Sequence, residues 1–151
     1  MINKELIFLN SELGERYEVI ENMAKKAHEL GLVSDIQKYI EVVKEREETF
    51  STAVGYGVSI PHGKTEVVES PFIGFTRMKT PFVWDAEQNE EVKLTFLLGV
   101  PVAQQGTLHL KILAQISRRL MREEFREALL IANEDEIYNI LKEIEASVKE
   151  D

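Results

Sequence analysis

Val58-Ser59-Ile60-Pro61-His62-Gly63 is the stretch on which the reading of this chain turns. Val58–Ile60 has the apolar, β-branched character of a short strand. Pro61 cannot donate to a ladder and fixes its own φ, so it ends that strand and sets the angle at which His62 leaves it. Upstream, Gly55 and Gly57 allow close backbone approach or a positive φ. Histidine is the side chain whose ordinary pKa leaves a neutral, nucleophilic nitrogen near pH 7. A histidine that fills a corner and one presented for chemistry both fit these residues taken alone.

Working outward, a short strand is expected near Ile7–Leu9, followed by helices. Residues 15–30 place Tyr17, Ile20, Met23, Ala24, Ala27 and Leu30 on one face, with Gly31 as the stop. Ser34 with Gln37 three residues on has the pattern of a capping box opening a second helix, whose Ile36, Tyr39, Ile40 and Val43 face inward. Beyond the Pro-His corner, Phe72–Met78 reads as a strand, and Val92–Leu98 as a strand covered on both faces. The interval Lys79–Glu91, with Pro81, Trp84-Asp85 and Asn89, reads as a loop or hairpin crossing, Trp84 packing beneath it. A Pro101–Gly106 loop then leads to a long helix from Leu108, a shorter one near Glu124–Ile131, and a last one capped by Asn133.

Two helices, several strands and then helices predict a single α/β domain over residues 1–151, a mixed sheet of about five strands with helices on both faces. The order is not a βαβα alternation, which speaks against a doubly wound nucleotide fold. At 151 residues the chain can bury a real core. No run approaches the ~20 apolar residues that cross a bilayer, and the N-terminus lacks a signal peptide's apolar centre, so a cytoplasmic location is expected.

Composition excludes several chemistries. The absence of cysteine removes disulfides, thiolate zinc sites and a cysteine nucleophile. With a net charge of −9, and with Arg118, Arg119 and Arg122 followed at once by Glu123 and Glu124, no basic face for nucleic acid is expected. There is no G-x-x-x-x-G-K-[ST] loop, no G-x-S-x-G elbow and no metal-ligand spacing between histidines, so neither a metal nor another cofactor is expected.

Among the remaining polar residues, His109 stands in the first turn of the helix after Gly106-Thr107. A helix N-terminus there favours a neutral imidazole and suits phosphate. His28, inside the first helix, reads as structural. Arg46 sits in the charged run Lys44-Glu45-Arg46-Glu47-Glu48, where it is either a solvated helix end or a fork for phosphate oxygens. Thr49, Ser51 and Thr52 add hydroxyls between Arg46 and His62.

Taken in order, Arg46-Glu47, Ser51-Thr52, Gly55-x-Gly57-Val58-x-Ile60-Pro61-His62-Gly63, Val92–Leu98 and Leu108-His109-Leu110-x-x-Leu113 closely resemble the IIA domain of the bacterial sugar phosphotransferase system, fructose/mannitol type. The resemblance covers nearly the whole chain. It implies a mixed sheet flanked by helices and a phosphohistidine relay. In that relay His62 would accept phosphate at its Nε2 (tele) nitrogen from the phosphocarrier HPr and pass it to a IIB domain, usually at a cysteine. A membrane IIC component would be linked only indirectly. His109 matches the family's second active-site histidine and Arg46 its arginine. Thr49, Ser51, Thr52 and Gly63 are expected to support the phosphoryl group. Relatives of the nitrogen-regulatory type use the same histidine to signal phosphorylation state, and the motifs fit that reading as well.

Overall fold

The computed structural model describes residues 1–103 and 107–149, so Gln104–Gly106 of the expected loop lie outside the described residues. A 3-10 turn at Lys4–Leu6 leads into strand β1 (Ile7–Ser11) and helices α1 (Arg16–Glu29) and α2 (Ile36–Thr49). Strands β2 (Ala53–Gly55), β3 (Val58–Ser59), β4 (His62–Thr65), β5 (Phe72–Asp85) and β6 (Glu90–Pro101) follow. Helices α3 (Leu108–Arg119), α4 (Glu123–Ile131) and α5 (Glu134–Lys149) come last.

β5 and β6 form a long antiparallel hairpin at the centre of a mixed sheet, with β1 parallel to β5 on one side. On the other side β3 and β4 lie end to end along β6, both parallel to it, and β2 pairs antiparallel with β3. The sheet therefore has six strands where about five were expected. Two strands, β2 and β4, were not among those named from the sequence, and β4 arises at Ile60-Pro61: the proline interrupts one line of pairing without ending it. Its carbonyl still accepts from Leu98 N–H at 3.0 Å, and pairing resumes at His62 opposite Leu98. His62 thus opens a strand and is not part of a loop.

Helices cover both faces. Ile112 and Ile116 of α3 and Ile137, Leu141 and Ile144 of α5 pack on Ile60, Phe75, Phe96 and Leu98. On the opposite face Val19, Ile20 and Met23 of α1 and Tyr39 and Val43 of α2 pack on Phe72 and Leu97. Val92 to Val100 of β6 are almost wholly buried, as a strand sandwiched between helix layers requires. Gly63 faces α2: a Cβ there would stand 2.9 Å from a Val43 methyl and 3.2 Å from the Tyr39 ring. This close approach brings the middle of α2 down onto β4. Because side chains alternate along a strand, His62 and Lys64 point to the other face, that of α3.

Two local expectations are corrected. α2 is capped by Asp35, whose carboxylate accepts from Lys38 N–H at 3.1 Å, and not by a Ser34–Gln37 box. Ser34 is instead drawn sideways, its N–H bonding the Val67 carbonyl at 2.9 Å beside the Val33–Val68 bridge. The interval Lys79–Glu91 is mostly strand: β5 runs on to Asp85, and only residues 86–89 turn. Pro81 is accommodated because it falls in a register shift between Arg77 and Phe82, where no ladder bond is required of it. Asn133 does cap α5, exchanging hydrogen bonds with Glu136 at 2.9 Å each way.

Candidate functional site

His62 stands half-buried at the break between β3 and β4. Its Nδ1 lies 3.0 Å from the Ile60 carbonyl. A carbonyl oxygen can only accept, so Nδ1 carries the proton and Nε2 is left with its lone pair. Burial lowers the pKa of the ring below its ordinary value, opposed by the Ile60 bond; the charge of Arg46 lowers it further and that of Glu47 raises it. The ring is therefore held neutral with one defined nucleophilic nitrogen.

The N-terminus of α3 brings His109 next to it. The two ring centroids are 6.0 Å apart with planes inclined by 32°. Burial again lowers the pKa, helped by the charges of His62 and Lys64. Nδ1 of His109 is buried and has no hydrogen-bond partner among the described residues, and Thr107 at the helix start makes no side-chain cap. The first-turn N–H groups of α3 have no acceptor within their own helix.

Arg46 comes from the last turn of α2, close enough for its charge to act on His62. Its Nη1 donates to the Phe50 carbonyl at 2.7 Å, which folds the guanidinium back over the helix end. Lys64 was missed from the sequence. The strand alternation His62-Gly63-Lys64 would have found it, since residues two apart on a strand share a face.

The hydroxyls are placed differently from one another. Thr49 is exposed and bonds the Glu45 carbonyl of its own helix at 3.0 Å. Ser51 accepts from Ala53 N–H at 3.1 Å, shaping the turn into β2. Thr52 is committed to Glu47: its hydroxyl donates to Oε1 at 2.6 Å and its N–H to Oε2 at 2.7 Å. Gly63 packs against α2, as described. His62, His109, Arg46 and Lys64 thus form one cluster, while Ser51, Thr52 and Gly63 shape the backbone around it. His28 bonds the Val33 carbonyl through Nδ1 at 2.7 Å, a structural contact at the end of α1. A cleft of about 390 Å³ lined by Glu12, Lys79 and Phe82 shares no residue with the cluster.

A neutral nucleophilic nitrogen, a second neutral imidazole, two cations and a helix N-terminus suit a transferable anion better than a bound metabolite. Phe50, whose carbonyl Arg46 bonds, and Leu110, next in sequence to His109, are both exposed. The family described as phosphoenolpyruvate-dependent sugar phosphotransferase system, EIIA 2, matches residues 1–144. The chain belongs to this family. It is 36% identical to a fructose-specific EIIA component of Haloferax volcanii over 93% of this chain and 91% of that protein. It is 35% identical to the fructose-specific EIIABC component of Bacillus subtilis over 95% of this chain, but spans only 22% of that longer protein. Among solved structures, the nitrogen regulatory protein IIA-Ntr from Neisseria meningitidis superposes with a TM-score of 0.81 at 29% identity, covering 93% of this chain and 95% of that one. The Escherichia coli IIA mannitol enzyme, solved in complex with phosphorylated IIB mannitol enzyme, shares the fold with a TM-score of 0.78 at 18% identity, covering 94% and 99%.

Proposed function

We propose that this EIIA chain carries a phosphoryl group on Nε2 of His62, taking it from phosphorylated HPr and delivering it to a cysteine of a separate EIIB protein in the cytoplasm. The observation that carries the reading is the Nδ1–H bond to Ile60, which leaves Nε2 as the free nitrogen beside His109. The known complex of a IIA mannitol enzyme with phosphorylated IIB supports the choice of acceptor.

On acceptance the bond from phosphorus to the donor's nitrogen breaks as the bond to Nε2 forms, and no proton need move. The transition state is loose, with negative charge on three equatorial oxygens. The imidazole, now bearing phosphorus on Nε2 and a proton on Nδ1, becomes cationic, and the Ile60 carbonyl stabilises that proton. Arg46, Lys64, His109 and the first turn of α3 would face the oxygens. On delivery the acceptor's cysteine attacks as its thiolate: the sulfur–phosphorus bond forms as the Nε2–P bond breaks, and the electron pair of the broken bond returns to Nε2, leaving His62 neutral. Phe50 and Leu110, 65% and 52% exposed, would form an apolar rim for partners that dock briefly.

Incubation with phosphoenolpyruvate, Enzyme I and HPr should add the mass of one phosphoryl group, and His62→Ala should add none. The likeness to the nitrogen regulatory protein favours a second reading, in which the same phosphorylation is read by a binding partner. Release of the phosphoryl group on adding an EIIB protein supports the relay; retention of it supports regulation.

A further inference from the structure

We propose that Glu47 is a positioning residue for His62, acting through Thr52 and Ile60. Its consequence for transfer rate rests on the phosphocarrier reading, whereas its effect on the His62 ring does not.

Glu47 is only 2% exposed although it lies in a run of charged residues. A carboxylate so buried is tolerable only if its oxygens are answered by donors. Three hydrogen bonds do so, two from Thr52 and one from Trp84 Nε1–H at 3.0 Å, with Arg16 Nη1 3.9 Å away. The donors come from the α2–β2 connection and the far end of β5, with the cation from the start of α1. Glu47 therefore ties the end of α2 to the segment that must be still if His62 is to be still.

The hydrogen bonds continue past Thr52. The Thr52 carbonyl accepts from Ile60 N–H at 3.0 Å, and the Ile60 carbonyl accepts from His62 Nδ1–H at 3.0 Å. A path of fixed donors and acceptors thus runs from the Glu47 carboxylate to the ring nitrogen that decides the tautomer. Holding Thr52 fixes Ile60, and holding the Ile60 carbonyl keeps the proton on Nδ1 and the lone pair on Nε2. Loosening Thr52 would free the ring to place its proton on Nε2, where it blocks attack. Arg46 precedes Glu47 in the same helical turn, so the anchor also fixes the guanidinium relative to the ring.

Two substitutions separate geometry from charge. In Glu47→Gln the amide oxygen can accept from Thr52 N–H and Trp84 Nε1–H while its NH2 donates to the Thr52 hydroxyl, so the contacts survive and the charge is lost. In Glu47→Asp the charge survives but withdraws by one methylene from Thr52. The measurement is nitrogen NMR of the His62 ring in the free, unphosphorylated protein. Wild type is expected to be the Nδ1–H form. Glu47→Gln should keep that form with a pKa lower still, because an anion that raises it is gone. Glu47→Asp should gain the Nε2–H form and accept phosphoryl groups on the order of 10²-fold more slowly. Trp84→Phe removes one of the three bonds without touching Thr52, so it should lower stability and leave the His62 tautomer alone. If Glu47→Asp does not fold, Thr52→Val, which removes the hydroxyl bridge only, should show the same growth of the Nε2–H form to a smaller degree.

A wild-type tautomer in folded Glu47→Asp would overturn the proposal, as would one in Thr52→Val. So would a tautomer lost equally in Glu47→Gln, or shifted by Trp84→Phe, since the effect would then be one of charge or of general loosening. If wild type takes no phosphoryl group from phosphorylated HPr, the functional reading falls, and the tautomer comparison still decides the role of Glu47.

Discussion

His62 and His109 reach one another from different layers of the fold, one from the strand break at Pro61 and the other from the first turn of α3, with ring centroids 6.0 Å apart. Neither ring is well placed to take up a second proton and become cationic. Both have pKa values below the ordinary 6.5, in each case chiefly through burial. A phosphoryl group on one ring would lie within reach of the other.

The first prediction concerns pH. Because both folded-state pKa values are lowered, the unfolded chain binds more protons than the folded one between those values and 6.5. The contribution to stability is complete above about 6.5 and is lost as pH falls through the folded pKa values. Urea unfolding across this window should show stability rising with pH. Phosphoryl acceptance by His62 should hold its neutral-pH rate below pH 6.5, tracking the ring's own titration in NMR. A fall in rate centred at or above 6.5 would contradict the assigned environment.

Much of this arrangement was legible in the sequence. Periodicity located the helices, and Ile60-Pro61-His62-Gly63 with Leu108-His109 located the two rings. The reading of Pro61 as an end came short because a strand partner, β6, holds both sides of the break, and single-sequence patterning does not reveal partners. Glu47 was invisible for the same reason. A glutamate among charged residues reads as solvated, and its burial depends on Thr52, Trp84 and Arg16 converging from separate segments.

Arg46 should act on charge that develops in transfer. Arg46→Ala is expected to slow phosphoryl transfer by roughly 10²–10³ without abolishing it, as for the loss of one well-placed donor. Arg46→Lys should restore only part, because the fork is lost. Rapid-quench transfer rates decide the point, and wild-type rates in Arg46→Ala would return this residue to an ordinary helix end.

His109 is expected to contact the phosphoryl group and not to carry it. His109→Ala should still acquire one phosphoryl group at His62 but hand it on slowly, and the lifetime of the phosphorylated protein should change more than its melting temperature. Loss of phosphorylation altogether in a folded His109→Ala protein would require a different division of labour between the two rings.

Gly63 tests how closely α2 must approach β4. A methyl there meets Val43 at 2.9 Å and the Tyr39 ring at 3.2 Å, in a packed interface with little room to give. Gly63→Ala is expected to cost about 1–3 kcal/mol in urea unfolding, the usual range for overpacking. It should also slow transfer, because the helix it displaces carries Arg46. An unchanged unfolding midpoint would show that α2 can move aside freely.

The central claim is that Nε2 of His62 is the atom that carries the phosphoryl group. It is tested most directly by phosphorus–nitrogen coupling in NMR of the phosphorylated protein with nitrogen-labelled histidine. The account predicts one coupled nitrogen, Nε2 of His62, with Nδ1 still protonated, and a label lost in acid but kept in alkali. Coupling to Nδ1 of His62 or to either nitrogen of His109 would contradict it, as would an acid-stable label on Ser51 or Thr52.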